Sequence, residues 1–401
     1  MKLPADSLTR RGFLTTLGGG LAAGILAACG IARSPEATPS ATATASPTGT
    51  PLPEPTATPG PSLRDQIGQM LLVGFRGLTV EEAGEVATDI QDRNLGGILL
   101  FDTDQPMHSA VRNVESPAQL TALIGGLQSL AETPLLVAID EEGGLVARLD
   151  QRHGFPPTIS AADLGARGEV LFTRQAGEEI ARTLSSVGVN LNLAPVVDLD
   201  VNPSNPIIGS LGRSFSADPA VVTSQAEAFI EGHRRVGVRT TLKHFPGHGS
   251  STGDTHLGVV DVTDTWSAVE LEPFRNVVRD GLADAVLTAH VFNSKLDPEH
   301  PATLSKATIT GILRDEIGWD GVVISDDMQM GAIRQAYGYS DALRLAILAG
   351  VDILTIAQQQ VYEPRIVATT IDLIEGLVRD GSLTEARIEE SYRRISALKS
   401  P

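Results

Sequence analysis

Two residues that could share a proton lie in the segment KHFPGHGSSTGDTH, at positions 243–256. Asp254 and His256 flank a single residue, so in an extended segment both side chains point the same way, and the carboxylate can orient the imidazole and stabilise its cation. An imidazole titrates near pH ~6.5 in water, so it can both give and accept a proton at neutral pH. A hydrogen-bonded loop pair without catalytic function is the alternative.

Two histidines in the same segment, His244 and His248, are four positions apart and would share one face of a helix, where they could bind zinc. Pro246 and Gly247 lie between them, and this content forbids a helix. We therefore predict a loop that carries general acid and base groups, without a metal ion or another cofactor.

A pair of carboxylates, Asp326 and Asp327, follows the apolar run 321–324. An acidic residue at the exit of a strand can attack the anomeric carbon of a sugar and give a covalent glycosyl intermediate. From the pattern alone, either carboxylate could do so. Capping of a helix that begins near Met328 is the alternative, because carboxylates favour helix N-termini.

The elements that would position these residues are short apolar runs that alternate with longer helical patterns. Eight runs predict strands, at positions 70–75, 97–101, 135–140, 191–198, 240–245, 285–290, 322–326 and 351–356. The helical patterns between them include 176–186, 220–235, 268–280, 341–349 and 365–379. Eight strand–helix units favour an α/β fold, a single TIM-like (β/α)8 barrel. An open doubly wound sheet is the alternative, but no glycine-rich phosphate loop follows the first strand.

Chemically capable side chains cluster where several of these runs end. They are found at positions 140–142, 198, 243–244, 290 and 325–327. Barrel enzymes build their sites from the carboxyl ends of the strands, so this distribution is itself a signal of function.

The composition limits the class of partner. The 401-residue chain has a formal net charge of −18 at pH 7 and no compact basic run, so nucleic acid is not an expected partner. Hydrophobic residues make up 42% of the chain, enough for a large buried core. Aromatic residues make up only 4%, which favours recognition of a neutral glycan by hydrogen bonds inside a pocket.

The N-terminal residues predict export and anchoring. Residues 1–33 are predicted to be a twin-arginine-like signal peptide, because TRRGFL precedes a short apolar run. The run ends LAACG, which resembles the bacterial lipobox, so Cys29 is predicted to carry a lipid that holds the chain on the membrane. Residues 34–62 are almost entirely Pro, Thr, Ala and Ser and predict a disordered linker. Residues 63–401 would then form the catalytic domain outside the cytoplasm.

A resemblance to a known family is carried by the strings GGILLF, DEEGGLVARL, NLNLAPVVDLD, NPIIGSLGRSF, KHFPGHG with DTH, LTAHVF, DPEHPATLSK and GVVISDDMQM. The chain resembles family 3 of the glycoside hydrolases, in its β-N-acetylglucosaminidase branch. The resemblance implies a single TIM-like barrel and a retaining double displacement in which Asp326 is the nucleophile. It implies His256, with Asp254 as its partner, as the acid and base. It also implies substrate-contacting positions at Asp140, Arg148, Arg213, Lys243 and His244.

Two features depart from the family pattern. Glu141 stands where many relatives have a glutamine, and residues 250–253 space the DTH motif by a slightly atypical loop. These departures bear on loop closure rather than on the chemistry.

The predicted activity is exo-acting hydrolysis of terminal β-linked N-acetylglucosamine, from peptidoglycan fragments. Three alternatives stay open at this point. Phosphorolysis is one, because a neutral histidine does not repel phosphate as a carboxylate would. A catalytically inert glycan-binding lipoprotein is another, and a plain β-glucosidase is a third, which the histidine-bearing loop disfavours.

Overall fold

The computed structural model describes residues 60–400 of the chain. The predicted signal peptide, Cys29 and all but the last three residues of the predicted linker lie outside the described residues. Ser62, the last residue of that linker, caps the first helix, because its side chain accepts a hydrogen bond from the amide of Asp65.

The centre of the fold is a sheet of eight parallel strands. Strands β1–β8 are Leu71–Gly74, Gly97–Leu100, Leu136–Ile139, Leu191–Asn192, Arg239–Phe245, Ala285–Thr288, Val322–Ile324 and Leu354–Ile356. Neighbours pair in the order β7-β6-β5-β4-β3-β2-β1-β8. A parallel bridge between Ile324 and Ile353 joins the two ends of this order. The sheet therefore closes on itself, and the predicted TIM-like barrel is confirmed.

Helices follow the strands and cover the outside of the barrel. They are α1 Leu63–Gln69, α2 Val80–Ala83, α3 Glu85–Arg93, α4 Pro117–Leu130, α5 Ala161–Arg167, α6 Val170–Ser186, α7 Pro219–Arg234, α8 Glu272–Arg279, α9 Gly331–Arg334, α10 Tyr339–Ala349, α11 Ile366–Arg379 and α12 Glu385–Lys399. A π-helix, Ala307–Glu316, precedes β7. Between residues 60 and 400, no helix has the length and apolar character needed to cross a membrane.

The strands are buried on both faces, which is why the sequence shows them as continuous apolar runs. All residues of β1, β2 and β3 are buried, and the same is true of β7 and β8. Parallel strands between helices and a packed barrel interior have no solvent-facing side, so alternation of polar and apolar residues is lost.

The fourth strand is shorter than predicted. Regular pairing covers only Leu191–Asn192 instead of residues 191–198. Pro195 has no amide N–H to donate to a neighbouring strand, so it interrupts the ladder. Pairing resumes at a single bridge between Val196 and Lys243. The chain still reaches the carboxyl end of the barrel, where Asp198 is buried and binds the imidazole of His244, a predicted site residue.

Candidate active site

One cavity at the carboxyl ends of the barrel strands contains nearly all of the predicted site residues. Its volume is about 200 Å³. The predicted residues that line it are Asp140, Arg148, Arg213, Lys243, His244, His256 and Asp326. The eighth, Asp254, does not line the cavity but is hydrogen-bonded to His256. The barrel thus brings together side chains that are up to 186 positions apart, from Asp140 to Asp326.

A buried network of charges forms one wall of the cavity. The Lys243 ammonium lies 2.6 Å from carboxylate oxygens of both Asp140 and Glu142. Arg213 binds Glu142 through two hydrogen bonds, of 2.8 and 2.7 Å. Burial raises the pKa of Glu142, but Arg213 and Lys243 outweigh it and hold that pKa well below its usual range. Glu142 is therefore a carboxylate that fixes two cations in the orientation they present to a ligand.

Arg148 extends this polar wall. Its guanidinium lies 4.0 Å from Asp140 and 3.9 Å from Asp102. It also faces the ring of Phe101, with 5.8 Å between the guanidinium carbon and the ring centroid. Arg148 and Asp140 therefore offer a donor and an acceptor side by side, which suits the hydroxyl groups of a sugar.

The imidazole of His244 is held by a buried carboxylate. Its Nδ1 lies 2.6 Å from Asp198, and its Nε2 lies 3.3 Å from a nitrogen of Arg213, which can only donate. These contacts place the proton on Nδ1 and leave Nε2 as an acceptor. Burial raises the pKa of Asp198, but His244 and His248 lower it below the usual value. Asp198 thus remains ionised and also accepts the backbone N–H of His248 at 2.7 Å.

The structure distinguishes the two carboxylates after β7. Asp327 is buried, and one of its oxygens accepts N–H groups from Gln329 at 3.1 Å and Ala357 at 2.9 Å. Burial raises the pKa of Asp327 to about 6. Both carboxylates line the cavity, but Asp326 is the more exposed of the two, and its Oδ1 accepts the backbone N–H of Asp327 at 2.8 Å. Neither residue caps α9, because that helix begins at Gly331 with Met330 as its N-cap.

Asp326 is held in its ionised form by its surroundings. Burial raises its pKa, but the imidazoles of His290, His244 and His256 together with the Asp327 amide lower it below the usual value. His290, which is fully buried, is itself tied to the backbone oxygen of Asp327 at 3.0 Å. A carboxylate that is ionised at neutral pH and faces a cavity has the properties required of a nucleophile.

The carboxylate of Asp254 contacts the imidazole of His256, but the segment is a turn rather than the extended segment that we predicted, because the N–H of Leu257 donates to the backbone oxygen of Asp254 at 3.1 Å. Nδ1 of His256 lies 2.7 Å from Oδ1 of Asp254, and the same oxygen accepts the backbone N–H of His256 at 2.9 Å. The His256 side chain is 56% exposed, and that of Asp254 is 26% exposed. Because the carboxylate accepts a hydrogen bond from Nδ1, the opposite nitrogen, Nε2, is available to a ligand in the cavity.

Several cavity residues were not among the predicted set. Glu142 was visible only as part of an acidic run, and nothing in that run indicated its two cationic partners. Gln359 and Gln360 line the cavity from the loop after β8. The signal that could have found them is the polar run 358–360 directly after an apolar strand. Thr255, between Asp254 and His256, is buried and also lines the cavity.

Glu141, the first departure from the family pattern noted in the sequence, is buried beside the cavity. One of its oxygens accepts the N–H groups of Arg148 and Leu149, both at 2.9 Å. The other oxygen is buried without a hydrogen-bond partner. Burial raises the pKa of Glu141 from 4.5 to about 8, so the group is mostly a neutral acid at pH 7. A neutral acid has nearly the shape and charge of the amide of a glutamine.

We expect Glu141→Gln to stabilise the protein near neutral pH. A raised pKa in the folded state means that the stability contributed by Glu141 is complete below pH 4.5 and is lost as the pH rises towards 8. The free energy of unfolding of the variant should match that of the wild type at pH 4 and exceed it by on the order of 3 kcal/mol near pH 7. Urea unfolding at both pH values measures this. The exposed Glu132→Gln is the control, and a Glu141→Gln variant that gains nothing at pH 7 contradicts the expectation.

Comparisons with known proteins agree on one family. The model of the N-terminal domain of glycosyl hydrolase family 3 matches residues 62–398. The chain is 33% identical over 350 residues to beta-hexosaminidase LpqI of Mycobacterium tuberculosis, which covers 85% of this chain and 83% of that protein. It is 31% identical over 372 residues to beta-hexosaminidase A of Pseudoalteromonas piscicida, covering 83% of this chain and 60% of that protein.

Two solved structures extend the comparison. A glycoside hydrolase family 3 beta-N-acetylglucosaminidase from Paenibacillus sp. gives a TM-score of 0.77 at 34% identity, covering 85% of this chain and 62% of that one. A beta-N-acetylhexosaminidase from Beutenbergia cavernae gives a TM-score of 0.76 at 31% identity, covering 85% and 99%. The chain therefore spans about three fifths of some relatives and nearly all of others.

Proposed function

The chain belongs to glycoside hydrolase family 3, and from that premise we propose that it is a retaining, exo-acting β-N-acetylglucosaminidase. Its substrates are glycans that end in β-linked N-acetylglucosamine, with peptidoglycan fragments as the natural source. Relatives named beta-hexosaminidase and beta-N-acetylglucosaminidase support this choice. The single observation that carries it is that Asp326 and His256, with Asp254 behind the imidazole, line one cavity walled by fixed charges.

The proposed reaction begins with attack of Asp326 on the anomeric carbon. His256 donates the proton on Nε2 to the glycosidic oxygen, so the aglycone leaves as an alcohol and the sugar stays bonded to Asp326. The neutral imidazole then removes a proton from water, which attacks the same carbon and releases the sugar with its original configuration. Asp254 stabilises the imidazolium in the first state and keeps the proton on Nδ1 in the second.

The charged wall has a distinct part in this proposal. Asp140, Arg148, Arg213, Lys243 and His244 bind the hydroxyl and acetamido groups of the terminal sugar. Their donors and acceptors are already oriented by ion pairs within the protein, notably Lys243 with Asp140 and Glu142. Since these groups need no reorganisation when the sugar enters, binding energy is available to orient the reacting carbon towards Asp326.

Attack by the substrate's own acetamido oxygen is the mechanism that competes with this one. That route needs a carboxylate to polarise the amide, and no bond forms between sugar and protein. Reaction with a 5-fluoro N-acetylglucosaminyl fluoride distinguishes the two. We expect mass spectrometry of the digested protein to find the sugar on the peptide that contains Asp326.

A panel of aryl glycosides that differ only at C2, assayed with and without phosphate, tests the proposed function. We expect p-nitrophenyl N-acetyl-β-glucosaminide to be preferred over the β-glucoside by about 100-fold in kcat/KM. The first-formed sugar should be the β-anomer, and phosphate should change neither rate nor product. Appearance of the sugar 1-phosphate would instead establish phosphorolysis, and binding of the sugar without turnover would establish an inert binding protein.

We also propose that the protein is exported and tethered to the membrane by a lipid on Cys29. The support is the LAACG sequence and the fact that the chain has one cysteine. In a bacterial host fed a labelled fatty acid, the wild-type chain should carry the label and sediment with membranes. Cys29→Ser should lose both properties while the activity per molecule is kept. Equal labelling of the variant would exclude lipidation at this position.

A further inference from the structure

The loop that carries the acid and base pair, residues 250–258, is bound to the segment that follows the nucleophile. The backbone oxygens of Thr255 and His256 accept N–H groups from Ala332 and Gly331, both at 3.2 Å. The side-chain amide of Gln335 donates to the oxygen of Leu257 at 2.9 Å. The backbone carbonyls of Thr255, His256 and Leu257 are therefore all hydrogen-bonded to α9 or to the residue after it. We call this set of contacts the loop dock.

Gly331 sets how closely the loop approaches. A Cβ atom at this position would lie 2.7 Å from the oxygen of His256 and 2.8 Å from the carbonyl carbon of Leu257. Both are backbone atoms, so they cannot move aside by a change of rotamer. The backbone of Gly331 does not have a positive φ, so its conformation is one that alanine adopts readily. Position 331 therefore requires glycine because of its close contact with the backbone of the loop, and not because of its own backbone conformation.

The imidazole of His256 is bound to Asp254 of the same loop, and the other contacts of the loop do not involve the imidazole. Thr255 is buried, and its hydroxyl lies 3.5 Å from Nε2 of His248. Gln360 donates to the backbone oxygen of His256 at 3.1 Å. Beyond these anchors, Leu257 is 77% exposed and Val259 is 57% exposed. Before Asp254, the loop is held at its start, where the N–H of Ser250 donates to Glu270 at 3.3 Å and the oxygen of Ser251 accepts from Asn202 at 2.8 Å. The position of His256 thus depends on what its backbone is bound to.

We infer that Gly331 and Gln335 are positioning residues, which set the place of His256 relative to Asp326. The dock residues and the nucleophile belong to one short segment, from Asp326 to Gln335. Binding of the loop to this segment therefore sets the distance between the imidazole of His256 and the carboxylate of Asp326, which act on the same sugar. The inference rests on the proposed acid and base function of His256. Neither residue lines the cavity.

A series of leaving groups tests the inference with Gly331→Ala. The value of kcat/KM reports the steps up to cleavage of the glycosidic bond, and a dinitrophenolate leaves without a proton, whereas a sugar hydroxyl needs one. Moving the imidazole by about 1 Å should lower kcat/KM for the chitobiose disaccharide by about 100-fold. For the 2,4-dinitrophenyl glycoside, kcat/KM should stay within about twofold of the wild type.

Two further variants keep the test decisive. Gly338→Ala is the matched control, since a Cβ there meets nothing within 4 Å, and it should leave both substrates unaffected. Gln335→Leu removes one dock hydrogen bond from an exposed position, so it should show the same selective loss at roughly 3- to 10-fold. If Gly331→Ala fails to fold, the result with Gln335→Leu decides the test. An equal loss of kcat/KM on both substrates, or no loss on either, overturns the inference.

The outcomes separate this inference from the proposed function. A wild-type chain that does not cleave N-acetylglucosaminides contradicts the function. Cleavage without selective loss in His256→Ala contradicts the acid and base assignment. If His256→Ala loses kcat/KM selectively for the disaccharide but neither dock variant does, only the positioning role of Gly331 and Gln335 is contradicted. Selective loss in His256→Ala, Gly331→Ala and Gln335→Leu, with Gly338→Ala unchanged, supports all three.

Discussion

Replacing Asp326 with asparagine is expected to lower kcat for p-nitrophenyl N-acetyl-β-glucosaminide by about 10⁴-fold or more, in the range found when a covalent nucleophile is removed. The amide has nearly the same shape as the carboxylate, so the barrel and the hydrogen bond from the Asp327 amide should be kept. The amide is a poor nucleophile and cannot stabilise positive charge at the anomeric carbon, so both contributions of the carboxylate are lost.

The neighbouring carboxylate provides the matched control. In Asp327→Asn the side-chain oxygen can still accept the N–H groups of Gln329 and Ala357, and we expect a loss of no more than about tenfold. Azide gives a second readout. In Asp326→Ala, azide can enter from the vacated face of the sugar and yield the α-glycosyl azide. Full activity in Asp326→Asn, or a larger loss in Asp327→Asn, would contradict the assignment.

The barrel could be predicted from the sequence because of how its strands are buried. Runs such as Gly97–Leu100 and Leu136–Ile139 have no polar face, and each is followed by a helical pattern. The predicted strand bounds agree with the structure within two residues at each end for six of the eight runs, but the run 351–356 begins three residues before β8. They were wrong at 191–198, where Pro195 cannot donate to the ladder. The predicted helix at 268–280 is a 3-10 turn, Ala268–Leu271, followed by α8, which contains Pro273 in its first turn.

The candidate site was predictable to the extent that strand ends converge in a barrel. That rule, with the family resemblance, located Asp140, Lys243 and Asp326. The residues alone do not show which of Asp326 and Asp327 is the nucleophile. The difference between them depends on the amide of Ala357, thirty positions away, which donates to the carboxylate of Asp327. The rule could not show that Glu142 binds both Arg213 and Lys243 either. Which side chains pair in this way depends on how the loops pack against each other in three dimensions. The spacing of residues along the chain carries no information on this packing.

The loop dock illustrates the same limit. Gly331 directly follows the motif GVVISDDMQM, yet nothing in the residue order indicates that its missing side chain makes room for the backbone at His256. A glycine with an ordinary φ in a helix usually lowers the stability of the protein slightly, compared with alanine. Here the close approach of two backbones explains it, and only three-dimensional contacts reveal that approach.

Replacing His256 with alanine is expected to lower kcat/KM for the chitobiose disaccharide by about 10²- to 10⁴-fold, the range for loss of a general acid. Asp254 and the backbone of His256 should keep their places, since the dock holds the loop through backbone oxygens. With the dinitrophenyl glycoside, bond cleavage needs no proton and stays fast. The second step then lacks its base, so the glycosyl-enzyme should accumulate, and kcat and KM should fall together.

Azide distinguishes this variant from the nucleophile variant. In His256→Ala the covalent bond to Asp326 still forms, so azide attacks the glycosyl-enzyme from the face that water uses and yields the β-glycosyl azide, with kcat rising in proportion to azide concentration. The matched control is His300→Ala, whose imidazole contacts Tyr337 and does not line the cavity. It should show neither accumulation nor rescue. Opposite anomers from the two variants require that Asp326 and His256 act on opposite faces of one sugar, whereas the same anomer from both would be incompatible with a double displacement.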